Sequence, residues 1–167
     1  MPDFHQLEAT ARRGSFSAFD MAFIHPELAK LGKNSVYLEV GVQYGRSLEF
    51  ARKFSKGKVC GIDIDGSLYE EINDVFFYNL SSNEAVKAWD QPIDLLFIDA
   101  DHSYEGCLDD WNNFSPFVKP GGWVFFHDCD ATSPGVEQVF DEIGEGWSNK
   151  EKSDNPQCSM AKVQKNG

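Results

Sequence analysis

A chain of 167 residues with 41% hydrophobic and 14% aromatic content can bury one proper core, so a single domain is expected. Its formal net charge of -12 argues against nucleic acid or an anionic membrane surface as partner, because both need a positive field opposite their phosphates; a small molecule is favoured. No apolar run approaches the roughly 20 residues that span a bilayer, and Asp3, His5 and Glu8 stand where a signal peptide would be apolar, so a cytoplasmic protein is expected.

Near the N-terminus, Phe16, Phe19, Met21, Phe23, Ile24 and Leu28 recur at mixed helical spacing, interrupted by Gly14 and Pro26. This predicts one or two short helices, in a segment over 1–33 that precedes an α/β core over 34–167. A buried strand is predicted over 35–42, then a helix over 47–54 that carries Leu48, Phe50, Ala51 and Phe54 and ends near Gly57. Strands follow over 58–64 and 75–78, with a helix over 82–89. The run over 93–99 is almost wholly apolar, as a central parallel strand covered on both faces must be. From Tyr104 a helix packs with Cys107, Leu108, Trp111 and Phe114, and Pro120-Gly121-Gly122 turns into a strand over 123–127. The tail reads as a helix over 135–143 and a closing pair of segments, 146–153 and 158–165, across a polar Asp154-Asn155-Pro156 turn.

Strand alternates with helix throughout, which predicts a doubly wound, Rossmann-like α/β fold. Its sheet is mostly parallel with helices on both faces, closed by an antiparallel C-terminal strand pair. Cys60, Cys107, Cys129 and Cys158 contain no C-x-x-C pair, so reduced thiols are expected.

The most informative stretch is Tyr37-Leu-Glu-Val-Gly-Val-Gln-Tyr-Gly-Arg-Ser47 followed by Val59-Cys-Gly-Ile-Asp-Ile-Asp65. It reads as strand, glycine turn, helix, strand, acid, the order of a nucleotide-type cofactor site. Gly41 and Gly45 allow a tight turn and close approach of backbone to a ligand, while an acid closing the next strand can accept bonds from ribose hydroxyls. A dinucleotide site would place glycine at the centre of G-x-G-x-x-G, where this chain has Gln43. Glu39 would oppose an anionic phosphate and suits a cation instead.

The E-x-G-x-x-x-G arrangement with Asp63 resembles class I S-adenosylmethionine-dependent methyltransferases, whose cofactor carries an amino group and a sulfonium but no phosphate. The resemblance continues through Ile93-Asp-Leu-Leu-Phe-Ile-Asp-Ala-Asp-His-Ser-Tyr-Glu-Gly106 and Val118-Lys-Pro-Gly-Gly-Trp-Val-Phe-Phe-His-Asp-Cys-Asp130. Within the family, these pieces are similar to small-molecule O-methyltransferases of the macrolide-sugar and cephalosporin-pathway type.

That resemblance implies that Glu39 and Gly41 line the methionine end of the cofactor, with Gln43, Gly45 and Ser47 completing the turn around it. It implies that Asp63 holds the ribose, with Asp65 as competitor. The family places an acid after the third strand near the adenine; here the segment is Asn79-Leu-Ser-Ser-Asn83, so Ser82 or a backbone N–H would have to serve. The plainer reading is that Ser81 and Ser82 only cap the next helix. His102 is a further candidate cofactor contact, as is Asp99. Similar O-methyltransferases carry a divalent metal at the ends of the fourth and fifth strands, implying Asp99, His127 and Asp128 as ligands for Mg²⁺, with Asp101 nearby. His127 could instead be the general base and Asp128 its catalytic partner; helix capping and loop bonds are the plainer reading of the two acids.

Methyl transfer to a hydroxyl of a small molecule is the leading expectation. The alternatives are N-methylation without metal, a non-catalytic cofactor-binding domain and, more weakly, a nicotinamide-dependent oxidoreductase. So little sequence lies outside the sheet that a substrate lid must come from the N-terminal helices, the loop after Asp130 or a second protomer of a homo-oligomer.

Overall fold

The computed structural model describes residues 2–167. Two helices, α1 (Phe4–Thr10) and α2 (Ala18–Leu28), precede β1 (Val36–Val40), α3 (Arg46–Phe54), β2 (Lys58–Asp63), β3 (Val75–Asn79) and α4 (Ser82–Ala85). The chain continues through β4 (Ile93–Ile98), α5 (Tyr104–Phe114), β5 (Val118–Phe126), α6 (Pro134–Glu142), β6 (Trp147–Lys152) and β7 (Ala161–Lys165). The strands form one sheet in the order β3-β2-β1-β4-β5-β7-β6. Pairing is parallel from β3 to β5, whereas β7 runs antiparallel to both β5 and β6.

The apolar runs follow from burial on both faces. Alternate residues of one strand point to opposite sides, so Leu38, Cys60, Leu96 and Phe126 join Phe114, Val136 and Phe140 in the layer under α5 and α6. Tyr37, Val59, Phe97 and Phe125 join Phe16, Met21, Ile24 and Leu48 in the layer under α2 and α3. All four cysteines are free and buried, and burial pushes each thiol up. Among the described residues, no helix is long and apolar enough to cross a membrane.

Three expectations need correction. The predicted interruption at Pro26 is absent: α2 runs through it, losing one N–H bond, and ends two residues later at Leu28. The helix predicted over 82–89 is a four-residue α4 followed by a 3₁₀ turn over Val86–Ala88. It stops as the chain descends to Pro92, with the Trp89 indole N–H donating to the Gln91 carbonyl at 2.7 Å. Pro120-Gly121-Gly122 lies inside β5 rather than before it, since Val118 already pairs with Ile93 and the register then shifts between Ile93 and Leu95.

Between β1 and β4 the sheet reverses its winding direction, and open α/β sheets hold ligands at the carboxyl ends there. Gly41, Asp63, Asp99 and Asp128 all lie within two residues of such an end.

Candidate active site

A cavity of about 600 Å³ opens over the carboxyl ends of β1, β2, β4 and β5, within the size range of small-ligand sites. Its wall includes Gly41, Gln43, Ser47, Asp63, Ser82, Asp99, His102 and Asp128, together with Asp65 and Asp101. Three residues expected at the ligand do not line it: Glu39, Gly45 and His127.

The glycine turn is built for close backbone contact. Gly41 has φ 89°, and a Cβ there would run into the backbone of Asp99 at the end of β4. Gly45 takes φ 82° as the residue before α3 and faces Ile72 and Tyr69, away from the cavity. Gln43 adopts φ 48°, the left-handed region that glycine would enter freely. Asp63 holds that conformation: its Oδ2 accepts from the backbone N–H groups of Val42 at 2.8 Å and Gln43 at 2.7 Å. Oδ1 accepts from Asp65 N–H at 2.8 Å. A carboxylate has about four lone-pair sites, so Asp63 retains capacity for one ribose hydroxyl while fixing the turn. Asp65 is more exposed, and its Oδ1 is engaged by the Ser67 hydroxyl at 2.6 Å.

Glu39 lies one layer beneath this surface. On β1 it shares a face with Tyr37, whose hydroxyl donates to Oε2 at 2.6 Å, and the Ser47 hydroxyl donates to Oε1 at 2.6 Å. The residue is 0% exposed, and burial pushes its carboxyl up to about 8 despite both hydrogen bonds. The expectation that Glu39 faces a cationic ligand directly is therefore corrected: its two hydroxyl partners draw the side chain under α3.

At the other end of the cavity, Asp99, His102 and Asp128 offer one ligand atom each, all within 4.8 Å of one another. His102 Nε2 stands 3.4 Å from Asp128 Oδ2 and 3.7 Å from Asp99 Oδ1. The nearness of Asp99, and then of Asp128, raises the imidazole above its ordinary value against partial burial. Asp128 takes φ 51°, a conformation that a short acid tolerates and that turns it out of line with β5. Its Oδ1 accepts from the Ser159 hydroxyl at 3.0 Å, and direct contact with the His127 imidazole holds the carboxyl down to about 2 against partial burial.

His127 is 3% exposed and sits behind this trio. Its Nδ1 faces Asp128 at 3.2 Å and Asp99 at 3.4 Å, while Nε2 faces Asp20 of α2 at 3.4 Å. Phe16 and Phe97 pack around the ring, with centroids 6.2 and 6.1 Å away. Burial opposes a charge here, yet Asp99, Asp128 and Asp20 outweigh it and raise the imidazole above its ordinary value. This corrects its expected role as an open ligand or base: His127 is buried, faces three carboxylates and ties α2 to two strand ends. His102 occupies the exposed position instead. Asp20 was missed in the sequence, although Ser17-x-x-Asp20 was readable as a capping box and is one.

At the far end, Ser81 alone caps α4, accepting from Glu84 N–H at 3.3 Å. Ser82 is left facing the cavity. Ile64, Leu68 and Leu80, respectively 76%, 37% and 39% exposed, give this end an unusual apolar wall.

A family model described as a methyltransferase domain matches residues 38–129, more than half of the chain. The chain belongs to that family, and its fold is that of the class I S-adenosylmethionine-dependent methyltransferases. Among solved structures it is similar to MycE, a methyltransferase of the mycinamycin biosynthetic pathway solved with Mg, S-adenosylhomocysteine and mycinamycin VI. The TM-score is 0.73 at 17% identity, over 99% of this chain and 55% of that one. An O-methyltransferase from Bacillus cereus gives 0.63 at 16% identity over 88% and 79% of the two chains. An rRNA methylase from Streptococcus thermophilus gives 0.68 at 12% over 87% and 95%. An uncharacterised protein of Acanthamoeba polyphaga mimivirus, R132, is 33% identical over 60 residues, 32% of this chain and 27% of that protein. The chain thus spans about half of MycE and about a quarter of the viral protein.

Proposed function

We propose that this domain transfers a methyl group from S-adenosylmethionine to a hydroxyl of a small molecule, assisted by a divalent cation. One observation carries the reading: a single cavity joins an apolar, acid-flanked end to the Asp99–His102–Asp128 trio.

The residues present suit the cofactor. Gly41 lets the chain after β1 pass against the backbone at the end of β4 and lines the cavity there, Asp63 keeps an acceptor for ribose, and Ile64, Leu68 and Leu80 offer an apolar wall to a base. The acids along the wall favour a ligand with a sulfonium and an ammonium over a dinucleotide. That acidity, with the net charge of -12, also argues against the polyanionic substrate that the name of the Streptococcus protein implies. The trio suits a hard dication through its two carboxylates.

Bound S-adenosylmethionine would supply an electrophilic methyl group, and an ion held by Asp99 and Asp128 would supply positive charge that lowers a hydroxyl pKa. The protein's own part is alignment, which can supply on the order of 7–11 kcal/mol, and removal of a proton. His102 Nε2, exposed at the cavity beside the two carboxylates, accepts that proton from the substrate hydroxyl. Asp20 and His127 hold the two strand ends in place beneath it.

Calorimetry with S-adenosylhomocysteine and NAD, followed by transfer of labelled methyl to a panel of polyhydroxylated small molecules, tests the proposal. Binding of S-adenosylhomocysteine alone, turnover lost on chelation and restored by Mg²⁺, and turnover lowered in His102→Ala are expected. Comparable NAD binding overturns the cofactor, and turnover indifferent to chelation overturns the ion.

A further inference from the structure

The chain has no acid in the segment after β3, Asn79-Leu80-Ser81-Ser82-Asn83, where an adenine amino group would need an acceptor. The opposite wall supplies one. Gly106, Asp109 and Asp110 stand at i, i+3 and i+4 on α5, one face of a helix, and all three line the cavity, Asp110 beside Ser82 of the segment after β3. Asp110 is 4% exposed yet reaches that wall. Its neighbours are Ser82 and two further acids, Asp101 and Asp109. Burial and those acids push its carboxyl up to about 6, with Ser82 offsetting part of the rise. A carboxylate so placed calls for hydrogen-bond donors, and among the described residues the small Ser82 hydroxyl is the side-chain donor beside it.

The chemistry of the surroundings selects the donor. Ile64, Leu68 and Leu80 present apolar surface to the same cavity, which fits the face of a planar heterocycle and not a hydrated cation. Adenine offers an N–H donor pair at its six-position, whereas hypoxanthine offers a carbonyl oxygen there.

We propose that Asp110, supported by Ser82, accepts a hydrogen bond from the adenine amino group and makes the cofactor site selective for adenosyl over inosyl ligands. The inference rests on the S-adenosylmethionine reading above, and it moves base recognition from the loop after β3 to α5. Ser82 donates its hydroxyl proton to the carboxylate and so fixes the orientation of the oxygen that meets the base. The same carboxylate repels the six-position oxygen of hypoxanthine.

Titration of S-adenosylhomocysteine and S-inosylhomocysteine into the intact protein at pH 8, where the carboxyl is ionised, tests this. The wild type should prefer the adenosyl compound on the order of tenfold or more, the size expected for a charged acceptor that loses its donor. In Asp110→Asn the amide can donate to the inosyl oxygen, and the preference should fall to about threefold or less. Ser82→Ala should reduce it part of the way, and this variant carries the test if Asp110→Asn does not fold by circular dichroism. Equal binding of both ligands by the wild type, or an undiminished preference in the folded variants, overturns the role of Asp110 and leaves the cofactor reading intact. Failure of the wild type to bind either ligand overturns the cofactor reading and this inference together.

Discussion

Replacing Glu39 by Gln should stabilise the protein increasingly as pH rises. Glu39 is 0% exposed, and its carboxyl is pushed from 4.5 up to about 8, first by burial. The folded state therefore keeps its proton up to about pH 8, while the unfolded chain releases it near pH 4.5. Protons are released on unfolding across that window, so this residue's contribution is full below about pH 4.5 and is lost as pH rises towards 8. The slope is about 1.4 kcal/mol per pH unit, or about 3 kcal/mol between pH 5.5 and 7.5. Gln cannot ionise, and the rotatable hydroxyls of Tyr37 and Ser47 can pair with its amide as they do with the acid. The stability difference between variant and wild type should therefore widen by that amount. In a domain this size it corresponds to roughly 6–12 °C in melting temperature. Urea unfolding of both proteins at half-unit pH steps measures the difference directly and cancels every other titrating group. Parallel curves would refute the reasoning, because they would mean that Glu39 is already ionised in the fold. Affinity for S-adenosylhomocysteine should stay within about threefold, since the side chain lies below the cavity floor.

Asp63→Ala should lower both stability, by about 2–3 kcal/mol, and S-adenosylhomocysteine affinity, by tenfold or more, because three backbone N–H groups and a ribose lose one acceptor; calorimetry and melting on one sample separate this from a ribose contact alone. Gln43→Gly should leave stability within about 1 kcal/mol, relief of the left-handed conformation being offset by a freer unfolded chain. NAD binding gained by that variant would show that Gln43 alone had excluded it. Asp20→Ala should destabilise by about 2–4 kcal/mol in urea, through loss of the capping bonds to Ser17 and of one partner of buried His127. Asp20→Asn should recover part of this.

The sheet was legible because a strand covered on both faces must be largely apolar, as Ile93–Ile98 is apart from Asp94 at its start, which Val36 N–H and Lys119 satisfy. Boundaries were harder where local chemistry and pairing conflict. Pro120-Gly121-Gly122 reads as a turn by any local rule, and only the partner strand reveals that Val118 is already paired. The positions of Gly41, Asp63, Asp99 and Asp128 were readable for a related reason: a βα unit puts whatever follows its strand at one edge of the sheet.

What could not be read from spacing was the direction of each side chain at that edge, and there the two histidines exchange parts. His127 N–H donates to the Ile98 carbonyl at 3.1 Å, so β5's path continues through it. Parity then gives it the face of Phe125, which the N-terminal helices cover. Glu39 shares the covered face of Tyr37 by the same parity. Parity was available in the sequence for both, but it becomes informative only once it is known which face α2 seals. Asp128 escapes it through φ 51°, a reversal that no glycine in His127-Asp-Cys-Asp130 announces. His102 reaches the cavity by way of a loop, where Asp101 accepts from Ser103 N–H at 2.8 Å and Ser103 in turn caps α5. The exposed histidine is thus set by capping chemistry and the buried one by strand parity, which is why their order along the chain gave no guide to which would meet a substrate.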